Sequence, residues 1–353
     1  VLVDCIDTGW VSSVGSYVDY FESEVARRSG CLHGVVVSNG TVALQIALIV
    51  AGVKAGDEVL VPALTFVATA NAISHIGAIP HFVDSESETL GICTDQLQHH
   101  LDSVAVRRGS ETWNRETKRR IAAIVPVHVF GCPVEFDKLT AVVANWPMEV
   151  VEDAAESLGS FYKGQPCGSL GRLAALSFNG NKIITTGGGG AIVTNDPALA
   201  SRAKHLTTTA KLPHRWAFLH DEIGFNYRMP NLNAALGVAQ LEQLDNRILK
   251  KQKLFEAYSK IFKDLNGVQV FKSPKHSKSN NWLVTLMLDL DHTHLRDTLL
   301  NRLNDEGIMT RPIWTLMNRL PMYLSHPQAD LSQAEELSSR TLNIPSSAYL
   351  GAT

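Results

Sequence analysis

Short apolar runs rich in β-branched residues alternate with amphipathic helical stretches along the first two-thirds of the chain. Residues 58–61 form one such run, residues 66–76 form the helical stretch that follows it, and residues 79–83 form the next run. This alternation predicts a mostly parallel sheet that is covered by helices. Four further segments are largely apolar, as strands that are buried on both faces should be. Strands are therefore also predicted at residues 121–127, 150–152, 174–178 and 191–194.

From Asn231 the pattern changes to a long helical stretch that runs towards Phe262 and is interrupted at Gly267. Four apolar side chains on one stripe support this helix, and they are Leu236, Leu241, Leu244 and Ile248. We expect a domain boundary inside the stretch. The predicted large domain therefore covers residues 1–240, and a smaller C-terminal domain covers residues 241–353.

The small domain is predicted to be α+β. Strand-like segments lie at residues 282–288 and 308–311, a helix is predicted at residues 295–303, and a final helix is predicted to end near Leu342. Residues 102–120 are polar and charged and have no periodicity. This segment of the large domain is therefore predicted to be an exposed loop or insertion.

Composition narrows the class of ligand. The chain has 353 residues, of which 45% are hydrophobic, and 32 Lys and Arg stand against 35 Asp and Glu, a formal net charge of -3. This balance gives no support for binding to nucleic acid or to an acidic membrane, and it favours a small-molecule partner. The five cysteines are far apart and have no Cys-x-x-Cys spacing, so neither a metal site nor a disulfide framework is predicted, and a reducing cytoplasm is the expected location.

A strand, a small polar turn and a helix follow one another at residues 35–48, with Gly40 and Thr41 in the turn. A turn of this kind directs free backbone N–H groups and the positive end of a helix at one point, which suits a phosphate. A capped helix after a strand, without a ligand, is the alternative.

Carboxylates follow directly on the apolar strand at residues 150–152, where Asp153 and Glu156 stand. An acid at the end of a strand can be a helix cap or an ion-pair partner. With a cofactor present it has a further use, because a ring nitrogen that must stay protonated needs a carboxylate within hydrogen-bond reach.

Lys182 stands between the apolar strand at residues 174–178 and the four glycines at residues 187–190. This placement favours a buried and geometrically constrained amine, whereas most lysines are solvated surface residues. Burial or a nearby cation lowers the pKa of a lysine and frees its lone pair to attack a carbonyl group. The glycines permit a close approach of the backbone to a ligand.

In combination these segments resemble the sugar aminotransferases related to the DegT/DnrJ/EryC1/StrS proteins, which are pyridoxal-phosphate (PLP) enzymes of the aspartate aminotransferase fold, fold type I. The resemblance covers nearly the whole chain. Besides the segments around Asp153 and Lys182, the matching stretches are residues 8–13, 62–66, 126–131, 224–229, 311–314 and 342–346.

The resemblance implies a role for each matching residue around the cofactor ring. Lys182 would bind the cofactor covalently through its amine, and Asp153 would pair with the pyridine nitrogen. Phe66 would stack on the ring, although packing in the core at a helix start is its alternative. Glu156 would sit by the phenolic oxygen, where many relatives have Gln or His.

The same resemblance implies that Gly40, Thr41 and Ser177 bind the cofactor phosphate. Asn226 lies in a segment that in similar enzymes reaches the phosphate of the neighbouring subunit, which implies a homodimer with shared active sites. Read alone, Asn226 is an ordinary polar loop residue. His128, between apolar residues at a strand end, is predicted to be a satisfied core side chain rather than a catalyst.

The implied reaction moves an amino group from an amino acid, glutamate by analogy, to a nucleotide-linked keto-sugar. The stretches at residues 65–73, 178–186 and 204–211 most resemble enzymes that aminate C4 of UDP-4-keto-6-deoxy-N-acetylglucosamine for surface glycans. A PLP-dependent sugar dehydratase, in which His replaces the lysine, and a non-catalytic relative are the alternatives. A Rossmann dehydrogenase is disfavoured because no G-x-G-x-x-G turn follows the first strand.

Overall fold

The structure is a computed structural model that describes residues 1–352. Its strands are β1 (His33–Val37), β2 (Glu58–Pro62), β3 (Ile79–Val83), β4 (Ala105–Arg108), β5 (Glu111–Asn114), β6 (Arg120–Ile124), β7 (Glu149–Asp153), β8 (Phe161–Tyr162), β9 (Gln165–Pro166), β10 (Leu173–Ser177), β11 (Gly190–Thr194), β12 (Val268–Val270), β13 (Ser277–Lys278), β14 (Val284–Leu288), β15 (Arg311–Pro312) and β16 (Thr341–Ile344). Its α-helices are α1 (Leu2–Asp7), α2 (Ser16–Arg28), α3 (Gly40–Val50), α4 (Val67–His75), α5 (Thr94–Val104), α6 (Phe136–Asn145), α7 (Pro197–Thr207), α8 (Asn231–Leu241), α9 (Leu244–Ile261), α10 (Arg296–Asp305) and α11 (Ser332–Arg340).

A large mixed sheet organises the first two-thirds of the chain, in the order β1-β11-β10-β7-β6-β2-β3. The four neighbouring pairs from β10 to β3 are parallel. Strand β11 is antiparallel to both of its neighbours. The mostly parallel sheet predicted from the sequence is therefore confirmed, and the carboxyl ends of its parallel strands meet at one edge.

Helices cover both faces of this sheet. Along β10, Leu173 and Ala175 pack into the apolar cluster beneath α3 and α4, whereas Ala174 and Leu176 pack into a second cluster with α2 and α8. Successive side chains of a strand point to opposite faces, so a strand buried on both faces has to be apolar at every position. This requirement is why the central strands could be recognised in the sequence.

A second, antiparallel sheet lies in the C-terminal part, in the order β12-β14-β16-β15. One apolar cluster joins this sheet to α9 and α10, with Leu286 and Leu342 from the strands and Phe255 and Leu299 from the helices. The predicted α+β character of this part agrees with these elements. The boundary between residues 240 and 241 stays a prediction; the structure shows that the long helical stretch is two helices, α8 and α9, with Glu242 and Gln243 between them.

One sequence-based prediction was wrong. Residues 102–120 are not a loop, because they hold the end of α5 and the hairpin of β4 and β5, which pairs with β6. The buried positions of β5 are the polar Thr112 and Asn114, so the strand has no apolar alternation to recognise. The final helix, α11, ends at Arg340, which agrees with the predicted end near Leu342, and Leu342 itself pairs with Leu286 in the small sheet.

Within residues 1–352, no helix is both long enough and apolar enough to cross a membrane. The apolar run at residues 42–53, the longest in the sequence, contributes instead to α3, whose central turns are buried under the large sheet.

A buried polar cluster lies where α5 packs on β3. The Nε2 atoms of His81 and His100 are 2.8 Å apart, and His81 Nδ1 lies 2.8 Å from Glu58 Oε2. Only one proton fits between two imidazole nitrogens at this distance, so one ring has to accept. Burial, and then the neighbouring His81, lower the pKa of His100 to about 4.

This lowered pKa predicts a loss of stability in acid. Between its ordinary pKa and about 4, His100 is protonated in the unfolded chain and neutral in the folded one, so the free energy of unfolding falls as the pH falls through this window. When the pH is lowered from 7.5 to 5, the free energy of unfolding should fall by about 1–2 kcal/mol less in His100→Gln than in the wild type. Urea unfolding at the two pH values measures this difference. The matched control is His99→Gln, which changes the exposed neighbour on α5. Equal acid sensitivity of the wild type and His100→Gln would contradict this reading of the His81–His100 pair.

Candidate active site

A cavity of about 330 Å³ opens at the edge of the large sheet where the parallel strands end. Eight sequence-predicted positions were proposed to bind the cofactor, and all but Asn226 line this one cavity. The lining residues among them are Gly40, Thr41, Phe66, Asp153, Glu156, Ser177 and Lys182. Residues far apart in the chain are thus brought together, because β10, β7, β6 and β2 are consecutive parallel strands whose carboxyl ends lie at one edge.

One end of the cavity is formed by the start of α3. The Asn39 side chain caps this helix, since its Oδ1 accepts from the backbone N–H of Val42 at 3.0 Å. Gly40 is pressed against the end of β10: a Cβ atom at Gly40 would lie 2.7 Å from the Ser177 Cβ and 3.0 Å from its Oγ. Glycine is therefore required here, and the helix N-terminus faces the cavity together with the Thr41 and Ser177 hydroxyls, an arrangement that suits a phosphate dianion.

Asp153 stands at the last position of β7, and its carboxylate is held at two points. Its Oδ2 accepts from the Thr69 hydroxyl at 2.8 Å, and its Oδ1 accepts from the backbone N–H of Ala155 at 3.2 Å. The Thr69 hydroxyl is itself 2.9 Å from that of Thr65. A carboxylate oriented in this way at the cavity wall can accept a further hydrogen bond from a ring N–H.

Lys182 and Glu156 form an ion pair across the cavity, with 3.2 Å between Nζ and Oε1. The Lys182 side chain is 11% exposed, so it is not a solvated surface lysine. Its amine also lies 4.1 Å from the centre of the Trp282 ring, in a cation–π contact. Burial is the largest influence on Glu156 and raises the pKa of its carboxyl, against the opposing effect of the Lys182 charge.

Aromatic side chains form the outer wall. Phe66 precedes α4 and is 51% exposed, so the alternative of simple core packing does not describe it. Its ring centre lies 6.4 Å from that of Trp314, which in turn packs against Phe130 at 4.8 Å. An exposed aromatic face beside a cavity is available to stack on a flat ligand.

Asn226 lies outside this cavity. Its side chain is exposed, and its Oδ1 accepts from Arg228 Nε at 3.1 Å. The role across a subunit interface that the resemblance implies for it stays a prediction. His128, by contrast, is fully buried, and its Nε2 lies 2.8 Å from Glu152 Oε2, which confirms it as a satisfied core residue.

Several lining residues were missed from the sequence. Thr69, which holds Asp153, and the two tryptophans Trp282 and Trp314 were not singled out as site residues, although Thr69 and Trp314 lie in stretches that carry the resemblance. The tryptophans come from segments of the C-terminal part and reach the cavity only through tertiary packing. The one indication in the sequence that Trp314 belongs to the site was its position within the matching stretch at residues 311–314.

The chemistry of these groups fits pyridoxal phosphate. The cofactor offers a phosphate, a ring nitrogen that can be protonated and an aldehyde. The cavity offers a helix N-terminus at Gly40, an oriented carboxylate at Asp153 and a partly buried amine at Lys182. The flat ring between these groups would lie beside Phe66 and the Glu156 carboxyl.

Comparisons with known proteins agree with this fit. The pattern that describes the DegT/DnrJ/EryC1/StrS aminotransferase family matches residues 1–352. The chain is 38% identical to the GDP-perosamine synthase of Escherichia coli O157:H7 over 343 residues, which covers 97% of this chain and 88% of that protein. It is 36% identical to the GDP-perosamine synthase of Caulobacter vibrioides over 351 residues, with 99% and 90% covered.

Among solved structures, the chain is similar to DesI, whose crystal structure was determined in the presence of its TDP-sugar product. The TM-score is 0.87 at 31% identity, and the match covers 99% of this chain and 84% of DesI. The fold is therefore that of the PLP-dependent aminotransferases. The chain belongs to the DegT/DnrJ/EryC1/StrS aminotransferase family and is a PLP-dependent sugar aminotransferase.

Proposed function

We propose that the enzyme transfers an amino group from glutamate to C4 of a nucleotide-linked keto-sugar, with UDP-4-keto-6-deoxy-N-acetylglucosamine as the sugar substrate. The observation that carries the chemistry is the placing of Lys182, Asp153 and the Gly40 turn around one cavity. The lysine also argues against the sugar dehydratases, in which His replaces it. A complete set of lysine, carboxylate and phosphate-binding turn argues against a non-catalytic relative.

Each residue has a task that its geometry supports. When bound, pyridoxal phosphate withdraws electrons from the carbon that loses its proton. Asp153, whose carboxylate Thr69 orients, would accept a hydrogen bond from the ring nitrogen, and its negative charge would favour the protonated form of that nitrogen. Lys182 would hold the cofactor through its amine, and the same amine would carry a proton to and from the reacting carbon. Glu156 lies 3.2 Å from that amine and would hold it in place.

The choice of sugar rests on the resemblance of residues 65–73, 178–186 and 204–211 to C4 aminotransferases of the UDP-linked sugar. The two relatives named above act in the synthesis of a GDP-linked sugar, and DesI binds a TDP-linked product. Nucleotide-linked sugars are common to all of them. The nucleotide is therefore the feature that distinguishes the proposed substrate from those of the named relatives.

The first prediction concerns the lysine. Borohydride reduction of the holoenzyme should fix the cofactor covalently on Lys182, because this amine alone among the cavity-lining residues is a lysine. Peptide mapping by mass spectrometry locates the adduct. Lys182→Ala should lose visible absorbance and at least about 10³-fold in turnover. Lys260→Ala, which removes an exposed lysine of α9, serves as the control. An adduct on a different lysine would refute the assignment.

The second prediction concerns the substrate. UDP-4-keto-6-deoxy-N-acetylglucosamine should be aminated from glutamate with a kcat/KM at least about tenfold above those of GDP-linked and TDP-linked 4-keto-6-deoxy-hexoses. The products are identified by mass and NMR, with Lys182→Ala as the blank. A preference for the GDP-linked substrate would contradict the proposed UDP specificity and would indicate the specificity for a GDP-linked sugar that the named relatives suggest. Amination at another carbon would contradict the C4 assignment.

We further propose that the enzyme works as a homodimer with shared active sites. The segment that leads to Asn226 exposes large apolar side chains: Trp216 is 75%, Phe218 is 80% and Ile223 is 89% exposed. Apolar surface of this kind marks an interface. A second subunit that covers it would bring Asn226 to a neighbouring phosphate-binding turn.

The third prediction tests this sharing by complementation. Homodimers of Lys182→Ala and of Asn226→Ala should each be impaired. Co-expressed heterodimers should regain activity, up to about half of the wild-type level, because one of the two sites then has both residues intact. Tagged subunits purified in tandem isolate the heterodimer. Heterodimers without any gain over the parents would show that Asn226 does not serve the partner's site.

A further inference from the structure

Lys251, on α9, is a lysine that the protein buries: only 7% of the residue is exposed. Its amine donates to two backbone carbonyl oxygens, of Trp282 at 2.9 Å and of Ser346 at 2.6 Å. Among the residues described here, none offers this amine a carboxylate within 4.0 Å. Lysines are almost never buried unless an opposite charge pairs with them. A lysine in this position therefore has a specific use.

Burial without a counter-ion works against the charged amine. Burial first, and then the charge of Arg247 one helical turn away, lower the pKa of Lys251 to about 8. What offsets this cost is the satisfaction of two buried carbonyl groups that lie in different segments of the chain. Lys251 thus joins the segment before β14 to the segment after β16 at a point behind the cavity wall.

The first of these carbonyls belongs to a residue of the active site. The Trp282 indole donates from Nε1 to the Asn181 carbonyl at 2.8 Å, next to Lys182, whose amine lies over the ring. The Trp282 backbone N–H donates to Asn280 Oδ1 at 2.9 Å. Asn280 in turn donates from Nδ2 to the Glu156 carbonyl at 2.8 Å. Trp282 therefore contacts Lys182 through its ring and is linked to the Glu156 backbone through Asn280.

We propose that Lys251 is a positioning residue for the aminotransferase reaction: by holding the backbone of Trp282, it fixes the indole against Asn181 and beneath the Lys182 amine. This proposal rests on the assignment of Lys182 as the cofactor lysine. An aromatic face stabilises a cation above it. The position of the ring therefore influences how firmly the Lys182 nitrogen holds its proton, which matters because this nitrogen both binds the cofactor and transfers a proton.

The test compares Lys251→Met, which keeps the length of the side chain and removes the donors, with Lys253→Met, which removes an exposed lysine from the same helix. In Lys251→Met we expect the single-turnover rate with glutamate to fall at least about fivefold, with the glutamate affinity little changed. In the cofactor-free protein, backbone amides at residues 282–284 should exchange with solvent at least about tenfold faster. Lys253→Met should behave as the wild type in both measurements.

The visible absorbance of the bound cofactor changes with pH, and the direction in which its midpoint shifts in Lys251→Met distinguishes two explanations. One is the loss of ring positioning, and the other is the loss of the Lys251 charge alone. A ring that no longer lies beneath the Lys182 nitrogen should lower the midpoint by about half a pH unit. Removal of a positive charge alone would raise it, because one repulsive cation is gone. A raised or unchanged midpoint in Lys251→Met would overturn the proposal, as would a wild-type rate.

Trp282→Phe supplies the second variant, because it keeps a ring but loses the N–H that bonds Asn181. We expect Trp282→Phe to lower the single-turnover rate and the absorbance midpoint as Lys251→Met does. The variant that carries both substitutions should be no more than about twofold slower than the slower of the two single variants. If the fold reductions in rate of the two single variants multiply in the double variant, Lys251 does not act through Trp282. If Lys251→Met does not fold, wild-type behaviour of Trp282→Phe overturns the proposal. An adduct mapped to another lysine in the wild type would instead refute the assignment of Lys182.

Discussion

A carboxylate with no exposure to solvent sets the geometry of the site. The two oxygens of Glu152 accept hydrogen bonds from the backbone N–H groups of Gly168, Leu170 and Gly171 at 2.7–2.9 Å, besides the contact with His128. A buried charge is tolerable only with such partners. These bonds tie β7 to the loop that enters β10, and side chains alternate along a strand. Glu152 is thereby fixed in the core while its neighbour, Asp153, faces the cavity.

The fold and much of the site could be predicted because both depend on short stretches of sequence. The β2, β3 and β10 strands are apolar at most positions and alternate with helical stretches, so a mostly parallel sheet could be predicted from them. Asp153 is the last residue of β7, and Lys182 lies in the loop that follows β10. The carboxyl ends of parallel strands meet at one edge of the sheet, which is why these residues lie around one cavity.

What the sequence did not reveal depends on partners far along the chain. Strand β5 is buried through Thr112 and Asn114, whose polarity is satisfied by Pro147 and Glu58, so it has the composition of a loop. Trp282 and Trp314 reach the cavity from the C-terminal part by packing alone. Lys251 reads as one charged residue in a polar helix, and only its two carbonyl partners distinguish it.

The contact between Gly40 and Ser177 has an evolutionary consequence. The backbone of α3 and the last side chain of β10 approach so closely that a methyl group at position 40 would overlap the Ser177 Cβ. The two positions therefore constrain each other, because alanine at position 40 would need the space that the Ser177 side chain fills. A chain that first lost that side chain would also lose a hydroxyl from the residues that line the cavity.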